Sequence, residues 1–332
     1  MTDNPPGLDL QRLQEHLGTG ELRAELIEGG RSNLTYRLTD GTTRWVLRRP
    51  PLGHVLATAH DMGREYRVIG ALHGSAVPVP RTVRLTTDPE VIGAPFYLME
   101  FVEGTAHRDS AALAALGPAR VRALADHLVD TLVALHAIDP QEVGLADFGR
   151  PEGFLERQVR RWGQQLDASR SREVPGIDEL RGLLAGALPT SPAATLVHGD
   201  YRLDNVLVGP DDRITAVLDW EMSTLGDPLT DLGLLVTYTE LADRFAGVLP
   251  GVALAPGFPN GAELTARYAQ GSGRDVTAVP WYVAFASFKL AVVLEGIHYR
   301  YSQGGTVGSG FDRVGALVPL FVEHGLTALK ER

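Results

Sequence analysis

The chain has 332 residues, of which 44% are hydrophobic, and its formal net charge at pH 7 is -10. This length fits two domains or one large two-lobed domain, and the hydrophobic share is typical of a folded globular protein. The chain contains no cysteine, which excludes disulfides, thiolate catalysis and metal sites built from thiolates. The negative charge, with no block of Lys or Arg, predicts that the protein binds neither nucleic acid nor an anionic membrane.

The amino-terminal stretch MTDNPPGLDLQRLQEHL lacks both the basic and the apolar region of a secretion signal. No run in the chain approaches 18 uninterrupted apolar residues, which a membrane-spanning helix requires. We therefore expect a cytoplasmic protein. The oligomeric state is not predicted by any of these features.

The first 102 residues predict a small antiparallel sheet with one helix inserted in it. Residues 8–17 carry leucines at helical spacing. Short segments after them suggest strands. The strands are LRAELIEG, LTYRLTD, RWVLRRP, RTVRLTT and PFYLMEFV, and the inserted helix is HDMGREYRVIGALHG.

Beyond residue 103 the pattern becomes mainly helical. Helices are predicted at 108–138, 153–169, 228–238, 261–270, 278–301 and 310–330, and strands at 195–198, 205–208 and 213–218. The turn-forming sequence GPDD joins the last two strands. The sequence thus predicts an α+β protein with a sheet-containing lobe at 1–102 and a larger, mainly helical lobe at 103–332, joined near EFVEG.

Acidic residues are concentrated in LVHGDYRLDNVLVGPDDRITAVLDWE, residues 196–221. Asp219 ends the returning strand of the predicted hairpin, so it can lie beside Asn205. An amide oxygen and a carboxylate are ligands that Mg²⁺ accepts, together with waters and substrate phosphates. Asp200 is then left to orient a hydroxyl group and take its proton. A solvated turn is the alternative for acids on a hairpin, and we assign Asp211 and Asp212 to it.

The spacing D-x-x-x-x-N, followed by an acid after an apolar strand, is that of protein-kinase-like phosphotransferases. HGD in place of His-Arg-Asp, and LDWE in place of Asp-Phe-Gly, resemble the aminoglycoside phosphotransferase and choline kinase family. The segments HGDYRLDN, LDWE, LGDPLTDLG, GGRSNLTYRL, WVLRRPP and REYRVIGAL are similar to the phosphotransferase domains fused to some acyl-CoA dehydrogenases. The resemblance implies a bilobal protein-kinase-like fold and an ATP- and Mg²⁺-dependent phosphotransferase with an alcohol group as acceptor.

A nucleotide-binding role for the amino-terminal lobe follows from this resemblance. The loop IEGGRSNLTYRL offers backbone at Gly29 and Gly30 and side-chain donors at Ser32 and Asn33, although a GG pair is also a common hairpin turn. Strand alternation places Val46 and Arg48 on one face and predicts that Arg49 points to the opposite face, into solvent.

The resemblance assigns roles to further residues of this lobe. Val46 covers the adenine, and Arg48 stands where most kinases carry a lysine, so it contacts the phosphates. Glu65 holds Arg48, with an exposed charge cluster as the alternative. In LMEFVEG, Met99 lies behind the base, and the adenine edge is read by the Glu100 carbonyl and the Val102 amide.

Four further residues of the carboxy-terminal lobe are assigned supporting roles around Asp200 and the phosphates. His198 is expected to pack and hydrogen-bond the loop rather than transfer protons. Arg202 either stabilises charge on the phosphoryl oxygens or pairs with Asp204 at the surface. By the resemblance, Asp227 braces the catalytic loop, and Asp231 caps or buttresses a helix.

The acceptor is predicted only by class. Residues 241–332 carry scattered acids rather than the dense set that a polycationic aminoglycoside requires. Most of the aromatic residues there are assigned to helix packing: Trp281, Tyr282, Phe285, Phe288, Tyr299 and Tyr301. Even so, this region favours a small molecule with an apolar body and a hydroxyl, such as a hydroxyacyl compound.

Two other functions are considered for the protein as a whole. One is a nucleotide-binding pseudokinase or regulatory module, and the other is a metal-dependent phosphoesterase.

Overall fold

The computed structural model describes residues 4–27, 33–52, 61–245, 251–304 and 311–331. The chain divides into two compact units, the first comprising Met1–Gly104 with Thr215–Ser223, and the second comprising Thr105–Ile214 with Thr224–Arg332. Thr215–Ser223 therefore groups with the amino-terminal residues, whereas the sequence analysis places this segment in the carboxy-terminal lobe.

Over its described residues, the first unit contains a five-stranded antiparallel sheet and two α-helices. Its elements are α1 (Leu10–Leu17), β1 (Arg23–Leu26), β2 (Leu34–Thr39), β3 (Arg44–Arg49), α2 (Met62–Leu72), β4 (Thr82–Thr86) and β5 (Phe96–Glu100). The strand order is β1-β2-β3-β5-β4, and each neighbouring pair is antiparallel. The small antiparallel sheet with an inserted helix is therefore confirmed.

The two faces of this sheet differ in chemistry. Leu47 lies opposite Leu98 in the register of β3 and β5, and both pack with Leu13 of α1 in one buried apolar cluster. On the other face Val46 lies opposite Met99, and Arg48 lies opposite Tyr97. The alternation predicted for β3 thus places Arg48 away from the apolar cluster.

Arg49 points to the opposite face from Arg48, as predicted, but the expected solvation is wrong. Its side chain is buried. The guanidinium donates to the carbonyl oxygens of Gly7, Ile92 (2.9 Å) and Pro50 (3.2 Å). These carbonyls satisfy the buried charge, which burial alone would strongly disfavour.

The second unit is mainly helical. Its helices are α3 (Ser110–Ala114), α4 (Pro118–Ala137), α5 (Phe154–Ser169), α6 (Ile177–Gly186), α7 (Leu229–Glu240), α8 (Gly261–Ser272), α9 (Val279–Ser302) and α10 (Val314–Lys330). Short strands are β6 (Thr195–Val197), β7 (Val206–Val208), β8 (Ile214–Val217), of which Ile214 belongs to this unit, and β9 (Thr224–Gly226). The predicted GPDD turn follows β7, where the Gly209 amide donates to the Arg213 carbonyl at 2.8 Å.

The predicted secondary structure of this unit needs three changes. The helix predicted at 108–138 is interrupted, because Gly117 has a φ of 85° and Pro118 starts a new helix. Helix α6 was not predicted. Strand β9 was not predicted either, and it pairs antiparallel with β6, Leu196 lying opposite Leu225.

Helix α9 lies in the interior of the second unit. Among the described residues it is the helix long and apolar enough to cross a membrane by length and composition, but 78% of its apolar window is buried inside the protein. Four of the six aromatic residues assigned to packing are buried in it, whereas Tyr299 and Tyr301 are exposed. Burial of this extent is that of a core helix.

Candidate active site

The loop that follows β6 is built around a buried histidine. The imidazole of His198 is fully buried, and its Nδ1 accepts a hydrogen bond from the Asp200 amide at 3.2 Å. Its ring packs edge-on against Tyr201, with ring centroids 5.8 Å apart. These contacts support the structural role predicted for His198.

A buried carboxylate on α7 fixes the same loop. Asp231 Oδ2 accepts from the His198 amide and Oδ1 from the Gly199 amide, both at 2.7 Å. His136 Nε2 lies 3.2 Å from Asp231 Oδ2. Burial raises the pKa of Asp231, but the hydrogen bonds and the neighbouring histidines outweigh burial and hold the pKa below its usual value.

The roles predicted for Asp227 and Asp231 are therefore exchanged. Asp227 Oδ1 accepts from the Leu229 amide at 3.0 Å, which caps the start of α7, and Oδ2 accepts from the Tyr282 hydroxyl at 2.7 Å. The carboxylate that holds the loop is instead the one a turn further along, at Asp231. Sequence spacing did not separate these two residues, because both lie at the start of one helix.

Asp200 is fixed in place and remains accessible. Asn205 Nδ2 donates to both the Asp200 carbonyl and Asp200 Oδ2, each at 2.9 Å. The Asp200 side chain is 32% exposed. Oδ1 has no hydrogen-bond partner among the residues that the structure describes, so it is the oxygen available to accept a proton.

Arg202 belongs to a largely buried polar group. Its guanidinium donates to Asp204 Oδ2 and lies over the Tyr238 ring, 4.8 Å from the ring centroid. Its Nε is 3.8 Å from Asp200 Oδ2. Burial raises the pKa of Asp204, an effect that Arg202 partly opposes. The predicted alternative of an Arg202–Asp204 pair is thus observed, but inside the unit rather than at its surface.

In the first unit, Arg48 is held between two close carboxylates, and a third, that of Glu221, lies 4.0 Å from its Nη2. Its Nε lies 3.2 Å from Glu65 Oε2, at an angle that makes an ion pair rather than a well-formed hydrogen bond, and its Nη2 donates to Asp219 Oδ1 at 2.6 Å. Arg48 is 11% and Glu65 1% exposed. Burial alone would lower the pKa of Arg48, but Glu65, Tyr97 and Asp219 leave it above its usual value. The structure therefore contains the Glu65–Arg48 pair that the sequence predicts.

Asp219 follows β8 in the left-handed region, with a φ of 65° that aspartate tolerates better than most residues. Near it, Asn33 Nδ2 donates to Glu221 Oε2 at 3.0 Å. Asn33, predicted to contact phosphate, therefore has its amide group engaged by Glu221, which had no predicted partner. Gly29, Gly30 and Ser32 lie outside the described residues.

The two predicted metal ligands belong to different units, Asp219 to the first and Asn205 to the second, so their pairing stays a prediction. Within its own unit each residue retains oxygen for a hard cation. Asn205 uses its amide nitrogen on Asp200, and Asp219 uses Oδ1 on Arg48. Within the described ranges no group of three or more His, Cys, Asp or Glu is arranged to hold a metal. A site with few protein ligands, as Mg²⁺ accepts, fits this donor set better than a closed cage.

The predicted adenine-contacting residues lie on and after β5. Met99 is buried beside Val46 on the adjacent strand. The Glu100 carboxylate accepts from the Arg81 amide at 3.0 Å, and Val102 is half-buried just beyond the strand. The roles given to Met99, the Glu100 carbonyl and the Val102 amide stay predictions.

Two residues near the loop at 198–200 had no assigned role in the sequence. His136 ends the buried stripe of α4, and its Nδ1 lies 2.8 Å from the Tyr268 hydroxyl while its Nε2 faces Asp231. Lys289 on α9 donates to the Gly199 carbonyl at 2.8 Å. The signal that could have found them is a polar residue on an otherwise apolar helical stripe, which demands a buried partner.

The model of a known protein family matches this chain over most of its length. The model of the phosphotransferase enzyme family covers residues 23–273. The chain belongs to this family. Acyl-CoA dehydrogenase family member 11 of Gallus gallus is 35% identical over 320 residues, covering 94% of this chain and 41% of that protein. Member 10 of Mus musculus is 33% identical and covers 92% of this chain and 29% of its own length.

The chain therefore spans less than half the length of these relatives. Among solved structures, a candidate aminoglycoside phosphotransferase from Ralstonia eutropha superposes with a TM-score of 0.83 at 34% identity, covering 97% of this chain and 98% of the other. Aminoglycoside phosphotransferase APH(4)-Ia, at 16% identity and a TM-score of 0.65 over 96% of this chain and 97% of its own, shares the fold. The kinase-like fold and the family resemblance predicted from the sequence are both confirmed.

Proposed function

We propose that the protein transfers the γ-phosphate of ATP, in the presence of Mg²⁺, to a hydroxyl group of a small molecule. The observation that carries the proposal is that the Asp200 carboxylate is held in place and remains accessible. Asn205 fixes its carboxylate through Oδ2 and its backbone through the carbonyl, while the side chain stays 32% exposed. A carboxylate held in one orientation with a free oxygen suits a general base for an alcohol.

The other residues of the proposal act by charge. Arg48, oriented by Glu65 and Asp219, supplies a fixed cation for phosphate oxygens. Asp219 and Asn205 are the proposed Mg²⁺ ligands, and the bound ion would neutralise phosphate charge. Asp200 Oδ1 would accept the proton of the acceptor hydroxyl as the oxygen attacks phosphorus. Neighbours of the same fold are solved with AMP-PNP and with ADP, which fits nucleotide use.

For the acceptor we propose a hydroxyacyl compound rather than an aminoglycoside. A pocket in the second unit, adjoining Arg202, is mainly apolar. It is lined by Arg202, Leu203, Asp204, Leu235, Tyr238, Thr239, Val252, Ala253 and Phe258. This recess is too small to hold a whole acceptor, so it bears only on one end of it, and its largely apolar lining favours an apolar end over an ammonium group. The acyl-CoA dehydrogenase names of the relatives point to the same chemistry.

The runner-up from the sequence, a nucleotide-binding module without turnover, rested on arginine standing at position 48. The contacts of Arg48 weaken that argument, because its guanidinium occupies the place between Glu65 and Asp219 as a well-oriented cation. A module without turnover also has no need of an oriented, accessible carboxylate at Asp200.

The proposal is tested by acceptor-dependent ADP release. Purified protein with ATP and Mg²⁺ is assayed against hydroxyacyl-CoA thioesters, choline-like alcohols, sugars and aminoglycosides, with GTP and metal-free reactions alongside. We expect turnover with the hydroxyacyl compounds. Asp200→Ala should lower kcat by about 10²- to 10⁴-fold, the usual contribution of a general base, with nucleotide affinity nearly unchanged.

Asp211→Ala is the matched control, because Asp211 is an exposed acid on the nearby turn. It should leave kcat unchanged. If Asp200→Ala retained turnover within a few-fold of wild type, Asp200 would not be the base. If no acceptor of any class supported ADP release, the phosphotransfer proposal itself would fail.

A further inference from the structure

Lys289 is a cation placed within an apolar helix. It lies in the middle of α9, and the residues on either side of it, Phe288 and Leu290, are buried. Its Nζ donates to the Gly199 carbonyl at 2.8 Å and lies 5.7 Å from the centroid of the Trp162 ring. An ammonium group in such surroundings costs stability unless it is paired, so its presence calls for a specific use.

The choice of lysine is itself unusual in this chain. Lys289 and Lys330 are its two lysines, against 29 arginines. Lys330 is exposed at the end of α10, where a cation next to the last carbonyls of a helix needs no further explanation. At position 289 a compact ammonium reaches one carbonyl oxygen from a crowded helix, which the broader guanidinium fork does less readily.

Lys289 contacts the backbone of the residue that precedes Asp200. Gly199 has a φ of 85°, a conformation that glycine adopts without strain. Its amide donates to the Asp231 carboxylate at 2.7 Å, and its carbonyl accepts from the Lys289 ammonium at 2.8 Å. A negative group on α7 and a positive group on α9 therefore hold the two ends of one residue by charge-assisted hydrogen bonds.

The electrostatic surroundings are consistent with this arrangement. Burial lowers the pKa of Lys289, and Arg161 adds to the effect, whereas Asp200 and Asp231 oppose it. The two carboxylates that favour the ammonium are thus the proposed base and the residue that fixes its loop.

We propose that Lys289 is a positioning residue for phosphoryl transfer, which sets the orientation of Asp200 by holding the Gly199 carbonyl. The inference rests on the proposed function for its kinetic consequence. Its structural part, an ordered loop at residues 198–200, does not depend on the acceptor.

Lys289→Met tests the proposal, because methionine keeps an unbranched apolar stem and removes the ammonium. We expect kcat for acceptor-dependent ADP release to fall at least about tenfold, the scale of one lost hydrogen bond to a charged group. The KM for nucleotide should stay within about twofold. The Tm should stay within a few degrees of wild type, because removing a desolvated charge offsets the loss of its hydrogen bond to the Gly199 carbonyl.

Amide hydrogen exchange, followed by mass spectrometry on peptides covering 196–205, supplies a readout that needs no turnover. We expect faster exchange there in Lys289→Met and unchanged exchange in the control, Lys330→Met, whose kcat should match wild type. Unchanged kcat and unchanged loop exchange in Lys289→Met would overturn the proposal. So would a Tm several degrees below wild type with nucleotide KM rising as kcat falls, because that pattern indicates general loss of structure. Absence of turnover in wild type would refute the proposed function alone and leave the exchange result to decide the role of Lys289.

Discussion

Replacing Asp231 with asparagine should disturb the loop at residues 198–200 more than a near-isosteric change suggests. Both carboxylate oxygens act as acceptors, Oδ1 for the Gly199 amide and Oδ2 for the His198 amide, with His136 also facing Oδ2. Asparagine offers one acceptor oxygen and an NH₂ group that only donates. In the variant, one backbone amide of the loop must therefore face another donor.

The size of the effect follows from burial. Asp231 is 1% exposed, so water cannot replace the lost contact. A hydrogen bond to a charged group contributes about 1.5–3 kcal/mol, and an unsatisfied buried donor costs about 1–3 kcal/mol more. We expect Asp231→Asn to lower the free energy of unfolding by about 3–5 kcal/mol, a large share of the stability of an ordinary domain.

Urea denaturation at pH 7, followed by circular dichroism, measures this loss directly. Amide exchange at residues 198–200 should become faster, and kcat for ADP release should fall at least about tenfold, because the Asp200 backbone loses its anchor. Asp211→Asn, a substitution of an exposed acid, serves as the control and should change the unfolding free energy by less than about 0.5 kcal/mol. A loss below about 1 kcal/mol for Asp231→Asn would refute the inference that this carboxylate anchors the loop.

Two further predictions concern stability. Arg49→Leu should lower the free energy of unfolding by about 3 kcal/mol in the same assay, because the Gly7, Ile92 and Pro50 carbonyls lose a charged donor, and an unchanged value would contradict this account. The pKa of Asp231 is lowered by folding, so its stabilising contribution is present above the ordinary aspartate pKa of about 3.9 and is lost as pH falls through the lower folded pKa. The difference in unfolding free energy between wild type and Asp231→Asn should accordingly be largest above about pH 5 and should narrow below about pH 4, and a difference that grew on acidification would have the wrong sign.

The face of the sheet on which each β3 side chain lies was predictable, because successive side chains of a strand point to opposite faces. In RWVLRRP the two-residue period placed Val46 and Arg48 on one face, and the register with β5 confirms it. The same period assigned Arg49 its face correctly but carried no information about what covers that face. Two of its three acceptors lie on Gly7 and Ile92, more than forty positions away in the sequence.

The loop at residues 198–200 shows the same contrast between local features, which the sequence predicted, and long-range contacts, which it did not. The D-x-x-x-x-N spacing identified Asp200 and Asn205 as site residues, and the hydrogen bond between them, which was not predicted, is a local contact within one loop. Two partners that fix the loop come from helices elsewhere in the unit, Asp231 from α7 and Lys289 from α9, and His136 from α4 contacts Asp231 in turn. Their contacts depend on how helices pack, which single-chain patterns do not specify. Asp227 and Asp231 illustrate the consequence, since their residue type and spacing were read correctly and their roles were exchanged.

Arg48 and Lys289 differ in the number of acceptor groups that each cation contacts. Arg48 meets two carboxylates at once, Glu65 through Nε and Asp219 through Nη2, and a planar guanidinium holds both directions with one side chain. A lysine there would offer a single charged atom and could not fix both acids in the same way. Lys289 faces the reverse situation, a single carbonyl oxygen reached from a helix position whose neighbours are buried. The arginine that departs from the usual kinase lysine is therefore explained by the second carboxylate it must hold, and it gives no reason to assign the protein a function without turnover.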